Sequence, residues 1–171
     1  MTVDVLKIAG LTFAAVVLQT SILSSLEFGG ATPDLLLVTL VAIALLRGAI
    51  TGAAVGFAAG LLIDTATLAR LGETSLLLTI AGYWIGRYGE TTGRDRTHAP
   101  VLSVAVVTIL YGIGALSLHV VLGDAVDASE LFGSLLPGIL LNLLLTFPVY
   151  ALVRRILGRP AWSPQEVRLL G

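Results

Sequence analysis

Few side chains in this 171-residue chain have the types and spacing that chemistry needs. Asp34 and Asp64 stand out, each flanking an apolar segment at the outer ends of two neighbouring helices. Carboxylates so placed can form a cation site, relay protons or anchor an arginine of a partner. They can also simply mark where a helix meets water, and their position at helix ends favours that reading. Asp34 has a second local role, because an acid in the first turn complements the helix dipole. Gln19 and Asn142 lie inside apolar runs, where interhelical hydrogen bonding is the expected role. Arg47, at a turn, is expected to extend to the headgroups, and Arg70 to pair with Asp64 or Glu73. His98 and His119 have no acid or second histidine at metal-ligand spacing, so no metal site is expected. No nucleophile with an adjacent base and no phosphate-cradling loop appears. The chain reads as no enzyme, with no cofactor.

The elements that carry these residues are set by composition. The chain is 56% hydrophobic and 12% charged, with a mean hydropathy of +0.97 and no cysteine. Soluble domains carry about twice that share of charge. The chain is therefore an integral membrane protein. A net charge of -1 without a basic, aromatic-interleaved patch sets nucleic acid aside. Lacking cysteine, the chain has neither disulfides nor thiolate chemistry.

One stretch organises the rest. Gly48, Gly52, Gly56 and Gly60 recur every fourth residue between Arg47 and Asp64. On a helix they trace one drifting stripe about 18 Å long. In water each glycine costs roughly 1 kcal/mol relative to alanine. In a bilayer the backbone must stay helical, and a bare stripe lets another helix approach closely. Gly82 and Gly86 make a shorter pair of the same kind. These six glycines are the candidate packing or partner-binding face.

Six apolar segments are expected as helices: about 5–26, 33–46, 49–63, 74–88, 100–122 and 131–157. The first is read as a retained membrane helix, since no Ala-x-Ala site closes it. The second and third are short against the roughly 20 residues needed to cross. They are thin, tilted or buried by neighbours, or they form a re-entrant hairpin. Tyr83, Trp84 and Tyr88 suit the interfacial belt. Pro137 and Pro148 predict kinks in the sixth helix. Residues 1–158 form the transmembrane domain and 159–171 a tail, where Ser163-Pro164-Gln165-Glu166 predicts a short surface helix. With six crossings, nine of the ten basic residues (all but Arg70) fall on the side of the termini. The positive-inside rule makes that side cytoplasmic.

The order Gln19-Thr20-Ser21, Pro33-Asp34-Leu35, Gly48, Gly52, Gly56-Phe57, Gly60-Leu61-Leu62-x-Asp64, Leu71-Gly72, Ser75-Leu76 and Gly82-Tyr83 resembles the MreD family of rod shape-determining proteins. The likeness is carried by residues 19–86, and the last two helices agree in length and hydropathy. The resemblance implies an all-α bundle of six transmembrane helices, similar to the substrate-binding subunits of energy-coupling-factor transporters. It also implies a non-enzymatic scaffold of the bacterial inner membrane within the cell-elongation complex. The implied partners are MreC and, indirectly, MreB, a RodA-type polymerase and its transpeptidase. A different class, a vitamin-binding subunit of a transporter, would need convergent polar groups on longer outer loops; the turn from Asp124 to Glu130 is its candidate.

Overall fold

A computed structural model describes residues 2–92, 98–123 and 128–158. The chain runs α1 (Thr2–Ser21), a short 3-10 turn (Leu23–Ser25), α2 (Leu35–Arg47), α3 (Ala49–Ala66), α4 (Glu73–Thr92), α5 (Ala99–Leu122) and α6 (Ala128–Leu157). Four stretches are long and apolar enough to cross a membrane: Val3–Ser25, Ala49–Ala66, Ala99–Leu122 and Gly133–Leu157. The expected tail helix and residues 124–127 of the expected ligand turn from Asp124 to Glu130 lie outside the described residues, and residues 128–130 of that turn are the start of α6 instead.

The centre of the bundle is α2. Every residue from Leu36 to Leu46 is buried, and α2 packs against each of the other five helices. A helix apolar all round is stable only when it is surrounded, and α2 has thirteen residues. Its shortness has a physical reason: its neighbours, rather than lipid, cover it.

The glycine stripe of α3 is filled from within the same chain. Gly52 faces Gly82, Gly56 faces Leu78, Gly60 faces Ser75, and Gly86 faces Gly48 and Ala49. The two helices therefore run antiparallel with backbone against backbone. A methyl group built on any of Gly52, Gly56, Gly60, Gly82 or Gly86 would lie within 3.0 Å of the opposing backbone. Ser75, at this seam, donates its hydroxyl to the Phe57 carbonyl at 3.0 Å. Gly48 serves differently, as the whole connection between α2 and α3, at φ 92°, a conformation side chains disfavour.

The end of the bundle that holds Gly48 is tied by charge. Arg47 donates to the Leu157 carbonyl at 2.6 Å, capping α6, and lies 3.4 Å from Asp4 of α1. Its side chain is only 9% exposed, so the expectation of a headgroup-reaching arginine is corrected. The last carbonyls of α6 lack helical partners, and a buried guanidinium answers that need more effectively than it would answer lipid. Glu90 of α4 accepts the Ala49 amide at 2.9 Å, capping α3. On the surface, Tyr83 and Trp84 meet edge to face at 6.0 Å.

Leucine at both Gly52 and Gly56 is expected to separate α3 from α4. The loss should exceed the roughly 1–3 kcal/mol usual for overpacking, because backbone rather than side chain stands in the way. Gly133, with no atom within 4 Å of an added methyl, should accept alanine without harm. Thermal unfolding of the purified protein in detergent checks both, and an unchanged melting temperature in the double leucine variant would disprove the seam.

Candidate functional site: a polar layer across the bundle

At the opposite end of α2, an apolar helix begins among apolar neighbours, and its first amides need acceptors. Three residues from three elements supply them. The Asp34 carboxylate accepts from the Leu37 amide at 2.8 Å. Gln19, late in α1, accepts the Leu35 amide at 2.8 Å and returns its own amide to the Pro33 carbonyl at 3.1 Å. Asn142 of α6 accepts the Asp34 amide at 2.7 Å and donates to the Thr108 hydroxyl of α5 at 3.1 Å. Gln19, Asp34 and Asn142, singled out separately in the sequence, thus meet at one helix start. They join α1, α2, α5 and α6.

Asp64 lies at the far end of α3 and is 1% exposed. The expectation that it marks the water boundary is corrected. One carboxylate oxygen accepts the Gly72 amide at 2.8 Å, and the Asp64 carbonyl accepts from Ala69 at 3.0 Å. The acid folds the α3–α4 turn back over itself, which is why burial is tolerated. Its second oxygen, Oδ1, is buried without a hydrogen-bond partner.

Tyr111 of α5 is partly buried against the core, where the charges of Asp34, Asp64 and Glu73 act on it. Beside it, Glu73 at the start of α4 approaches Nε2 of His119 at 3.3 Å. His119 therefore has an acid neighbour that sequence spacing concealed, because the two residues belong to different helices and only packing brings them together. Thr108 and Tyr111 were not singled out either. Thr108 carried a signal, being a hydroxyl inside the apolar run of α5, whereas Tyr111 carried none that distinguishes it from ordinary helix residues.

The chemistry of this layer is that of holding. Among the described residues no group of three His, Cys, Asp or Glu is placed to hold a metal ion. Gly52, Gly56, Gly60, Gly82 and Gly86 form a separate feature, the α3–α4 seam, with Gly48 at its end; none of the six contributes to the layer.

Replacing Asn142 with leucine leaves the Asp34 amide and the Thr108 hydroxyl without partners, a cost of about 1–3 kcal/mol. Thr108→Val removes a single neutral bond and should cost about 1 kcal/mol or less. Melting temperatures of the two variants in the same detergent check the order. If N142L is as stable as T108V, the bond to the α2 amide contributes nothing.

Neither the comparison with curated proteins nor that with solved structures gives a match. The family profile described as rod shape-determining protein MreD matches residues 3–156 of the 171. That span takes in almost all of α1 and α6 and everything between them. A bundle of apolar helices, with an order of motifs that resembles this family and a match across nearly its whole length, identifies the chain as an integral membrane protein that belongs to the MreD family of rod shape-determining proteins.

Proposed function

We propose that this protein is a non-enzymatic scaffold of the bacterial cell-elongation complex, binding MreC in the inner membrane and helping to direct lateral peptidoglycan synthesis. The family match over residues 3–156 carries the reading. MreB, a RodA-type polymerase and its transpeptidase are engaged indirectly. All six helices cross the membrane in a bundle similar to the substrate-binding subunits of energy-coupling-factor transporters, with both termini cytoplasmic. The charge distribution supports that orientation. Lys7, Arg87, Arg154 and Arg155 gather with Arg47 toward the α2–α3 turn, where Asp4, Leu157 and Glu90 converge. Asp34, Asp64 and Glu73 gather toward the other end. Lysine and arginine bias sets orientation, whereas the acids contribute little.

A scaffold must offer a surface that its own chain does not fill. The glycine stripe is filled by α4, so partner contact falls to lipid-facing side chains such as Phe57 on α3 and Leu140, Leu144 and Phe147 on α6, which are 54–71% exposed. A photoreactive residue at Phe57 or Leu144, irradiated in native membranes, is expected to capture MreC. Capture of an ATPase-coupled transport module from the same positions would replace the scaffold reading with that of a transporter subunit. A second check is cell shape: cells relying on the Gly52, Gly56 double leucine variant should lose rod form, and unaffected rods would argue against a scaffolding role for the folded bundle.

A further inference from the structure

The end of the bundle that holds the α2–α3 turn carries more positive charge than its acids answer. Among the described residues it has Lys7, Arg47, Arg87, Arg154 and Arg155 against Asp4 and Glu90. Both acids are engaged. Asp4 lies 3.4 Å from Arg47, and Glu90 accepts the Ala49 amide at 2.9 Å while lying 3.4 Å from Arg87. Arg47 is itself taken up by Asp4 and the Leu157 carbonyl. Lys7, Arg154 and Arg155, by contrast, are exposed and make no ion pair among the described residues. The stretches 93–97 and 159–171, which continue from α4 and α6, add Arg94, Arg96, Arg159 and Arg168 against Asp95 and Glu166. By composition they deepen the excess rather than cancel it.

The three unanswered charges are brought to one level by the contact that closes α1 on α6. A single nitrogen of Arg47 meets both the Asp4 carboxylate and the Leu157 carbonyl, so the start of α1 and the end of α6 are tied to one point. Lys7 is three residues along α1 from Asp4, and Arg154 is three residues back along α6 from Leu157. Both therefore stand about 4.5 Å deeper in the bundle than that point, and Arg155 within about 1.5 Å of the same level. Leu6 and Leu152, 75% and 53% exposed, adjoin them. All three basic residues fall inside stretches apolar enough to cross a membrane, Val3–Ser25 and Gly133–Leu157. What surrounds them at that depth is lipid rather than bulk water.

We infer that Lys7, Arg154 and Arg155 form a binding site for an anionic phospholipid, its headgroup held where α1 begins and α6 ends and its acyl chains against Leu6 and Leu152. A charge within an apolar span is costly unless something answers it. Lysine and arginine extend on their stems to the headgroup level, and a guanidinium matches a phosphate with paired N–H donors. A phospholipid supplies both the negative charge and the apolar cover that these residues need, whereas an acidic protein segment in water supplies only the first. Buried Arg47 takes no part in binding; it is a positioning residue that holds the two helix ends together. The site belongs to whichever leaflet meets this end of the bundle, so it does not depend on the orientation proposed above.

Native mass spectrometry of the full chain in detergent, titrated with dioctanoyl phosphatidylglycerol or dioctanoyl phosphatidylcholine, tests the site. The unmodified protein is expected to retain phosphatidylglycerol in preference to phosphatidylcholine. K7Q, R154Q and R155Q should each weaken that retention about fivefold, and the triple variant about a hundredfold, as basic residues beside anionic lipid do. R87Q, whose arginine is paired with Glu90, is the control and should bind as the unmodified protein does. Should the triple variant not fold, ammonium acetate decides: raising it from about 0.05 to about 0.5 M must release phosphatidylglycerol from the unmodified protein and leave phosphatidylcholine. Equal affinity for the two lipids, or retention indifferent to salt, would overturn the proposal. So would a loss in R87Q as large as in R154Q, which would mean diffuse charge rather than a site. A triple variant that keeps its lipid but loses an acidic protein retained by the unmodified chain would overturn it in favour of a protein surface.

Discussion

The structure depends on burying one helix completely and satisfying both its ends. α2 is apolar on every face and touches all five other helices. Nothing in such a helix can turn to water, so its terminal amides and carbonyls must be met by protein. At one end Gln19, Asp34 and Asn142 meet the amides of residues 34, 35 and 37. At the other, the single residue Gly48 reverses the chain, and Arg47 reaches across to α6 and α1. The same side chains that complete α2 therefore set the positions of its neighbours.

A second constraint acts between α3 and α4. Apolar side chains bring little association free energy in a bilayer, so closeness of approach and its dispersion contacts matter more than hydrophobicity. The glycines allow the two backbones to touch from Gly48 to Gly60. Glu90 and Ser75 add polar fastenings at and near the ends of that seam. Close packing on this side of the molecule contrasts with the outer halves of α5 and α6, where residues 109–123 and 133–141 include no buried side chain.

Much of this was readable from residue types. An intramembrane amide or carboxylate is costly and needs a partner, and that cost singled out Gln19, Asp34, Asp64 and Asn142. Their partners were not readable. Asn142 bonds to residue 34, 108 positions away, and no periodicity encodes such a separation. Asp64 misled for a related reason: a helix-end acid usually faces water, and only the folding back of residues 69–72 buries it. Arg47 misled likewise, because a turn arginine usually finds headgroups, whereas here the open end of α6 lies within reach.

By itself the sequence determined the membrane setting, the helices within a few residues, the glycine face and the family, because hydropathy, proline, glycine spacing and motif order are properties of neighbouring residues. What only the tertiary structure decided is which surface the glycines occupy, which helix lies at the centre, and how polar groups pair across the bundle. Those depend on which segments meet in space. In lipid, where hydrophobicity barely distinguishes one apolar face from another, that choice falls to close backbone fit and to a handful of hydrogen bonds between residues distant in the chain.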